Sequence, residues 1–448
     1  MEQQGWMIRF LGAGLLLAAV LFLGYGVAQS SFSWILPAFG IAFLVYIWQV
    51  YAAKSVDLRF WLIVAVLLRV SLVGAFPALS DDIYRFVWDG RIWLAGGNPF
   101  DHLPSWYMKD GVPLSGLTET LFAALNSPDY YTIYPPVAQA LFAFSVWIFP
   151  ESVAGSAVVM QLFLCLVELG TILLLIRLLR YWSLPEERVL WYALNPLIIV
   201  EVVGNLHFEG AMIFFLLLGL WTLLRWKDSD NTWWLVASAV AMAMAVSSKL
   251  LPLLFFPFLI RRLGWWRSVG YFGIVGTVLL FSWLPLYSQT FFENFGSSVN
   301  LYFRRFEFNG SVYYFARWIG YQFSGFNLIR FIGPALAATV FLSIMSFSVL
   351  ERIRADWQEV PSRWLVAISI YLFCATTVHP WYTALPLVLC LFTNYRWPIL
   401  WSGLIVLTYI NYSYAEYFEN LWVVLFEYTL VFAFLLWEWR RERLVSHL

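Results

Sequence analysis

Long apolar runs are the feature of this sequence that most restricts its fold. Runs of roughly 20 residues, the length that an α-helix needs to cross a bilayer, recur along the whole chain. Charged residues make up only 12% of the chain, against about 25% in soluble globular domains. The sequence therefore predicts an all-α polytopic membrane protein, because backbone polar groups in lipid must be satisfied within helices.

The apolar runs predict about 12 to 14 transmembrane helices in a single domain that covers residues 1–448. No separate soluble domain and no internal repeat of the kind found in many transporters is evident. The last residues, 439–448, are predicted to form a short basic cytoplasmic tail. The candidate spans are 7–28, 32–52, 58–78, 155–181, 189–204, 210–226, 232–248, 250–263, 268–287, 329–350, 362–378, 381–395, 397–411 and 420–438.

Residues 136–149 form an apolar run that is too short for a full crossing and is predicted to be a re-entrant or interfacial helix. A full span there would move Arg177, Arg180 and Arg188 to the outer side, against the usual cytoplasmic bias of basic loops. With a cytoplasmic N-terminus, residues 79–135 then form a long first loop on the outer side. In a bacterium this is the periplasmic face of the inner membrane.

The net charge argues against nucleic-acid binding, and the cysteine pattern argues against a structural metal site. The net charge is zero, so no basic surface suggests nucleic acid as a partner. Cys165, Cys374 and Cys390 all lie in apolar runs, where free cysteines usually act as small buried hydrophobes. No Cys/His cluster suggests a structural metal. We expect no cofactor and metal-independent chemistry, although the sequence is also compatible with a divalent cation.

The first loop contains a stretch with several charged residues, SDDIYRFVWDGRIWLAGGNPF, which covers residues 80–100. Ser80 suits a helix N-cap, with two acids in the first turn and a Gly-Gly-Asn-Pro stop. The spacing places Asp81, Asp82, Arg85 and Asp89 on one side and apolar residues on another, which predicts an amphipathic helix at the membrane surface. A purely structural explanation is open: acids in a first turn stabilise a helix, and Arg85 can pair with Asp81.

A chemical explanation of the same residues is general base catalysis. A carboxylate can take the proton from a sugar hydroxyl as the hydroxyl attacks an activated carbon. The helix N-terminus favours the ionised carboxylate, and an arginine one turn away can orient it or hold a departing phosphate.

Three segments resemble a known family: DDIYRFVWDGRIWLAGGNPF at 81–100, TIYPPVAQALF at 132–142 and HPWY at 379–382. They are similar to the GT-C superfamily of integral-membrane glycosyltransferases, in particular the polyprenyl-phosphate-mannose-dependent mannosyltransferases. The similarity is colinear over most of the chain, and the first-loop segment is its specific part. The resemblance implies a GT-C fold whose long first outer loop carries amphipathic juxtamembrane helices.

The resemblance also implies an activity. Members transfer a hexose, here most simply mannose, from a polyprenyl-phosphate donor to a lipid or glycan acceptor on the non-cytoplasmic face, with inversion. An acid in the first loop is the base. Counting back from GGNPF puts Asp82 at the family's second acid, and Asp81 is a substitute base or an orienting neighbour. Relatives have Asp-x-Asp where this chain has Ser80-Asp81-Asp82.

A polyprenyl monophosphate leaving group can be neutralised by basic side chains alone. The candidates on the outer side are Arg85, Arg91, Lys249, Arg304, Arg305 and His379. Each has a plainer alternative: Lys249 can snorkel to the interface, Arg304 and Arg305 can be a solvated pair, and His379 can cap a helix.

Sugar or acceptor hydroxyls need hydrogen-bonding groups at the outer ends of the spans. The candidates are Asp89, Tyr134, Asn205, His207 and Glu209. The segment NLHFEG, which contains the last three of them, can equally be a polar turn without a ligand.

Two other classes of function remain as alternatives. A transporter or flippase of lipid-linked sugars predicts ionisable groups at the bilayer midplane and often internal repeats. A polymerase or ligase that uses lipid pyrophosphate predicts arginine-rich loops and a metal requirement.

Overall fold

The computed structural model of the chain describes residues 2–52, 58–109, 114–351 and 356–446. Residues 110–113 of the predicted first loop and 447–448 of the predicted tail lie outside this part. Seven helices are long and apolar enough to cross a membrane: Trp6–Tyr25, Phe32–Tyr51, Val153–Tyr181, Glu209–Ser229, Trp265–Leu286, Ile329–Leu350 and Leu421–Arg443. Over the described ranges the only β-pairing is an isolated bridge between Phe308 and Thr377. The prediction of an all-α polytopic membrane protein is confirmed.

The α-helices are numbered in chain order. The first ten are α1 Glu2–Tyr25, α2 Phe32–Ala52, α3 Leu58–Val70, α4 Asp82–Leu94, α5 Pro104–Tyr107, α6 Glu119–Ala123, α7 Pro136–Ile148, α8 Val153–Tyr181, α9 Leu190–Ala193 and α10 Pro196–Ile198. They are followed by α11 Glu209–Ser229, α12 Thr232–Ser248, α13 Phe256–Leu263, α14 Trp265–Trp283, α15 Phe291–Arg304, α16 Val312–Ser324, α17 Ile329–Leu350, α18 Val360–Cys374, α19 Ala384–Cys390, α20 Trp397–Leu404 and α21 Leu421–Ser446. Short 3₁₀ segments and one π-helix, Ile199–Gly204, join several of them.

Several predicted spans are broken helices. The run 189–204 consists of α9, α10 and the π-helix. A new helix begins at Pro196, because the side chain of Asn195 accepts a hydrogen bond from the amide of Leu197 at 3.0 Å and proline suits the first helical position. The runs 250–263, 381–395 and 397–411 each combine a 3₁₀ turn with a short α-helix. The predicted tail begins within α21, which continues to Ser446.

The first loop folds as a layer against the helices. α4 packs on α7 through stacked rings of Phe86 and Phe142, 4.4 Å apart. Gly90 lets the two helices approach closely, since a Cβ there would lie 2.7 Å from the carbonyl oxygen of Phe142. Nine of the 13 residues of α4 are buried, including Arg85 and Asp89, so the polar side of this helix faces protein. Its polar residues find partners in the loop and in α7.

α15 extends this layer. Asn294 donates to the carbonyl oxygens of Phe100 and Asp101 at 2.8 and 2.9 Å, and Asn98 donates to that of Leu286 at 2.8 Å. Phe100, Leu286 and Phe291 form a small apolar core at the contact. The first loop and the 287–305 segment therefore lie on the same side of the protein.

α7 spans 13 residues, which is about 20 Å of helix, and the hydrocarbon core of a bilayer is about 30 Å thick. Pro136 occupies its first turn, as predicted for a proline start. The re-entrant arrangement of this helix stays a prediction.

Candidate active site

The two acids begin α4. Asp81 is the N-cap residue and Asp82 lies in the first turn, one position later than the sequence suggested. Asn126 donates to Asp82 Oδ1 at 3.0 Å, and the Ser80 hydroxyl accepts from the Asp82 amide at 3.4 Å. Asp82 is half-buried, and Asp81 is more exposed than Asp82.

The Asp81 carboxyl makes no side-chain hydrogen bond within the described part of the chain. Partial burial raises its pKa above the ordinary aspartate value, and the neighbouring charge of Asp82 adds to the shift. Of the two acids, Asp82 is the one whose carboxylate is oriented by a partner.

A buried ion pair further along α4 closes the loop onto α7. Arg85 Nε lies 2.8 Å from Asp89 Oδ1, and its Nη1 donates to the carbonyl oxygens of Ser127 and Tyr130 at 3.1 and 2.8 Å. Gln139 of α7 donates to Asp89 Oδ2 at 2.9 Å. Both charged side chains are almost fully buried. Their hydrogen-bonding groups are turned to the protein.

Arg91 and Tyr134, two further predicted site residues, are also packed into this layer. Arg91 Nη1 donates to the carbonyl oxygen of Gly116 at 2.5 Å, and Arg91 lies about 14 Å along the helix axis from Asp82. The ring of Tyr134 makes an edge contact with Phe86 at 4.9 Å. The structure separates Arg91 from the acid pair.

Several stacked rings surround His379. His379 stacks on Phe308 and on Trp381, with ring centroids 4.7 and 4.6 Å apart. Trp381 in turn stacks on His207 at 3.5 Å. Pro380 begins the 3₁₀ turn that presents Trp381 next to His379.

The charges around His379 identify the groups that share its surroundings. Burial lowers the pKa of His379 to about 3; Asp82 opposes this shift, and His207 and Lys249 add to it. The predicted residues Asp82, His207, Lys249 and His379 therefore surround one region, although they come from four distant parts of the sequence.

His207 is held by Glu201. The Nδ1 atom of His207 lies 3.1 Å from Glu201 Oε2 and 2.9 Å from the Glu201 carbonyl oxygen, and Tyr409 donates to Glu201 Oε1 at 2.5 Å. Its Nε2 is buried and has no protein partner in the described ranges.

Asn205 serves the backbone and not a ligand. Its Oδ1 accepts from the amide of Leu79 at 3.0 Å, and its Nδ2 donates to the carbonyl oxygen of Val200 at 3.1 Å. Because Leu79 lies two residues before Asp81, Asn205 links the acid motif to the π-helix that carries Glu201.

Lys249 ends α12 and forms an ion pair with Glu209, with Nζ 2.5 Å from Oε1. The ammonium also lies 5.4 Å from the ring centroid of Tyr382. Glu209 Oε2 is buried without a protein partner in the described part of the chain. The Lys249 side chain keeps 22% of its surface exposed, so it can still reach a ligand.

Arg304 and Arg305 lie elsewhere, on a polar cavity between the first loop and α15 that includes none of the residues around His379. Sequence reasoning missed Asn126, Trp381, Tyr409 and Tyr412. Tyr412 lies among the acids: burial raises its pKa, and the charges of Asp82 and Asp81 raise it further. Aromatic residues make up 20% of the chain, so these rings carried no distinguishing signal.

In the described ranges, no group of three or more His, Cys, Asp or Glu side chains is placed to hold a metal ion. Metal-independent chemistry stays a prediction.

One known family matches the N-terminal part of this chain. The profile of a family described as alpha-(1->6)-mannopyranosyltransferase, N-terminal domain, matches residues 7–264, which is more than half of the 448 residues. Alpha-(1->6)-mannopyranosyltransferase B of Corynebacterium glutamicum is 28% identical over 163 residues. That match covers 35% of this chain and 25% of the relative's length. The acid motif, Lys249 and the His207 segment all fall within the matched family region, and the chain belongs to the alpha-(1->6)-mannopyranosyltransferase family.

Proposed function

We propose that the chain transfers mannose from a polyprenyl-phosphate donor to a hydroxyl acceptor on the non-cytoplasmic face of a bacterial inner membrane. Family membership supports the sugar and the class of reaction. The observation that carries the proposal is the convergence of Asp82, His207 and Lys249 around His379. This region brings a carboxylate, a cation and two imidazole rings together.

The reaction is a single displacement. The acceptor oxygen attacks the anomeric carbon of mannose, and the Asp82 carboxylate takes the proton of the attacking hydroxyl. The bond between the anomeric carbon and the phosphate oxygen breaks, and its electron pair leaves with the polyprenyl phosphate. Attack from the side opposite the leaving group inverts the anomeric centre.

Asp82 is the better candidate for the base because Asn126 fixes one of its oxygens at 3.0 Å. The other oxygen is then presented to the acceptor in a defined direction, which is the geometry that base catalysis needs. Asp81 is a neighbouring charge whose raised pKa comes from burial and from Asp82.

The departing phosphate is assigned to Lys249 and His379. Lys249 has three donor protons, one of which faces Glu209, so the other two can meet phosphate oxygens. His379 is a neutral donor because burial lowers its pKa to about 3. The free Nε2 of His207 is assigned to a sugar hydroxyl. Arg85 and Asp89 hold the loop that carries the base.

The names of the family and of the relative specify an alpha-(1->6) linkage of the transferred mannopyranose. We infer that the acceptor is the 6-hydroxyl of a terminal mannose. The test is a reconstituted assay in which proteoliposomes receive polyprenyl-phosphate-mannose and a mannose-terminated acceptor. The expected product carries one added alpha-(1->6)-linked mannose. A product in which the transferred mannose keeps the anomeric configuration of the donor would refute the proposal, and so would the absence of mannose transfer.

Removal of divalent cations gives a first prediction. Because Lys249 can supply a positive charge and His379 a hydrogen bond to a monophosphate without a metal, we expect EDTA to leave the initial rate of mannose transfer unchanged. The measurement is the rate after EDTA treatment, followed by addition of Mg²⁺ or Mn²⁺. Loss of turnover that either cation restores would contradict this prediction.

A second prediction concerns pH. With a pKa of about 3, His379 stays neutral from about pH 5 to 8, so its protonation does not change there. The rate should instead fall on the acid side as the catalytic carboxylate gains a proton. We expect His379→Phe to lower kcat/KM roughly 10- to 100-fold, as for the loss of a hydrogen bond to a charged group, without moving the acid-side midpoint. A midpoint near pH 6.5 that vanishes in this variant would contradict the assignment.

A further inference from the structure

The cavity beside α15 is a second polar site on the same side of the protein as the acid motif. Its volume is about 370 Å³, and its walls come from the first loop, from α15 and from the start of α17. The polar and charged residues of the wall include Tyr130, Tyr131, Ser297, Arg304, Arg305 and Arg330. The wall shares no residue with the group around His379.

Three guanidinium groups dominate this cavity. Arg304, Arg305 and Arg330 are all exposed, and none of them forms a salt bridge or side-chain hydrogen bond within the described ranges. Asp129 is the single carboxylate on the wall, so the cavity carries an excess of positive charge. Like charges repel one another, and an anion bound between them would remove that repulsion.

Arg330 adds an independent argument. It lies in the first turn of α17, where a cation is unfavourable because the helix dipole is positive at that end. An anion at the same position interacts favourably both with the helix end and with the arginine. Basic residues are usually concentrated in cytoplasmic loops. Basic residues on the predicted outer face therefore call for an explanation other than membrane orientation.

The cavity walls are fixed by the fold. Ser298 of α15 donates to the carbonyl oxygen of Tyr131 at 2.9 Å, and Arg85 donates to that of Tyr130 at 2.8 Å. Tyr130 also makes an edge contact with Phe306, with centroids 5.4 Å apart. The arginines thus project from anchored elements and not from a free loop.

The surroundings favour a lipid over a free ion. Phe326, four residues before Arg330, leaves 61% of its surface exposed, as expected for a side chain in contact with lipid. We propose that this cavity binds the phosphate of an anionic membrane-lipid headgroup, separately from the donor phosphate. The site goes beyond the proposed transferase activity, since it uses none of the residues assigned to the reaction.

The experiment measures binding and requires no turnover, so it stands independently of the proposed function. The purified full-length chain is titrated with short-chain phosphatidylglycerol, short-chain phosphatidylcholine and inorganic phosphate, and bound lipid is counted by native mass spectrometry. We expect phosphatidylglycerol to bind at least tenfold more tightly than the other two. The triple variant Arg304→Gln, Arg305→Gln, Arg330→Gln should lose this preference.

The matched control is Arg59→Gln, Arg177→Gln, Arg440→Gln, which removes the same charge from exposed positions outside the cavity. It should bind phosphatidylglycerol as the natural chain does. If the triple variant fails to fold, the same titration is made with the single variant Arg330→Gln, whose substitution is at an exposed position. Equal binding by natural and cavity variants, or equal competition by inorganic phosphate, would overturn the proposal. Displacement of phosphatidylglycerol by a short polyprenyl phosphate would overturn it too, because the cavity would then hold the donor.

Discussion

Asp82→Asn is expected to lower the rate of mannose transfer by about 10² to 10⁴, the usual contribution of a positioned general base. Asparagine has nearly the same shape and can still accept the hydrogen bond from Asn126, so the start of α4 should remain folded. It cannot take a proton from the acceptor. The effect should therefore fall on kcat, with little change in the KM for the polyprenyl-phosphate donor. Initial rates in proteoliposomes, at saturating and at limiting donor, measure the two constants.

Asp81→Asn is the matched control, because it removes the same charge one residue away. We expect it to retain most of its activity, because Asp82 and its partner Asn126 stay in place. Asn126→Ala should lie between the two, since it leaves the base in place but without its partner. If Asp81→Asn were inactive and Asp82→Asn active, the base would be Asp81 and the present assignment would fail.

The apolar runs predicted the fold class but not the shapes of all the spans. The run 189–204 has the composition of a transmembrane helix, yet Asn195 and Pro196 break it into pieces. A polar cap beside a proline was the available local signal for that break. Whether such a break is tolerated depends on burial among other helices, and these contacts cannot be inferred from one segment alone.

The acid motif was found from the sequence because its helix signals and charges are local. Its environment was not, because the carbonyl groups of Ser127 and Tyr130 that accept from Arg85 lie more than 40 residues further along the chain. An amphipathic pattern tells which residues share a side of a helix, and not whether that side meets water or protein. The grouping of His207, Lys249 and His379 could not be predicted from the sequence for the same reason, because only the packed fold brings these positions together.

Arg85→Met is expected to destabilise the protein by about 3 to 5 kcal/mol, the usual cost of removing one partner of a buried ion pair. The substitution leaves the carboxylate of Asp89 buried with only Gln139 as a partner, and the carbonyl groups of Ser127 and Tyr130 lose a donor. The loop that carries Asp82 is tied to α7 through these contacts. Thermal unfolding in detergent, followed by fluorescence-detected size exclusion, measures the loss.

Asp89→Asn separates this structural role from binding of the donor phosphate. In the double variant Arg85→Met, Asp89→Asn no charge stays buried, so much of the lost stability should return. A phosphate-binding role of Arg85 would give the opposite pattern: a raised KM for the donor that the second substitution does not repair. Arg180→Met provides the matched control, because its ion pair with Glu186 is largely exposed and should be nearly dispensable. An Arg85→Met variant that unfolds like the natural chain while its donor KM rises would assign Arg85 to the donor after all.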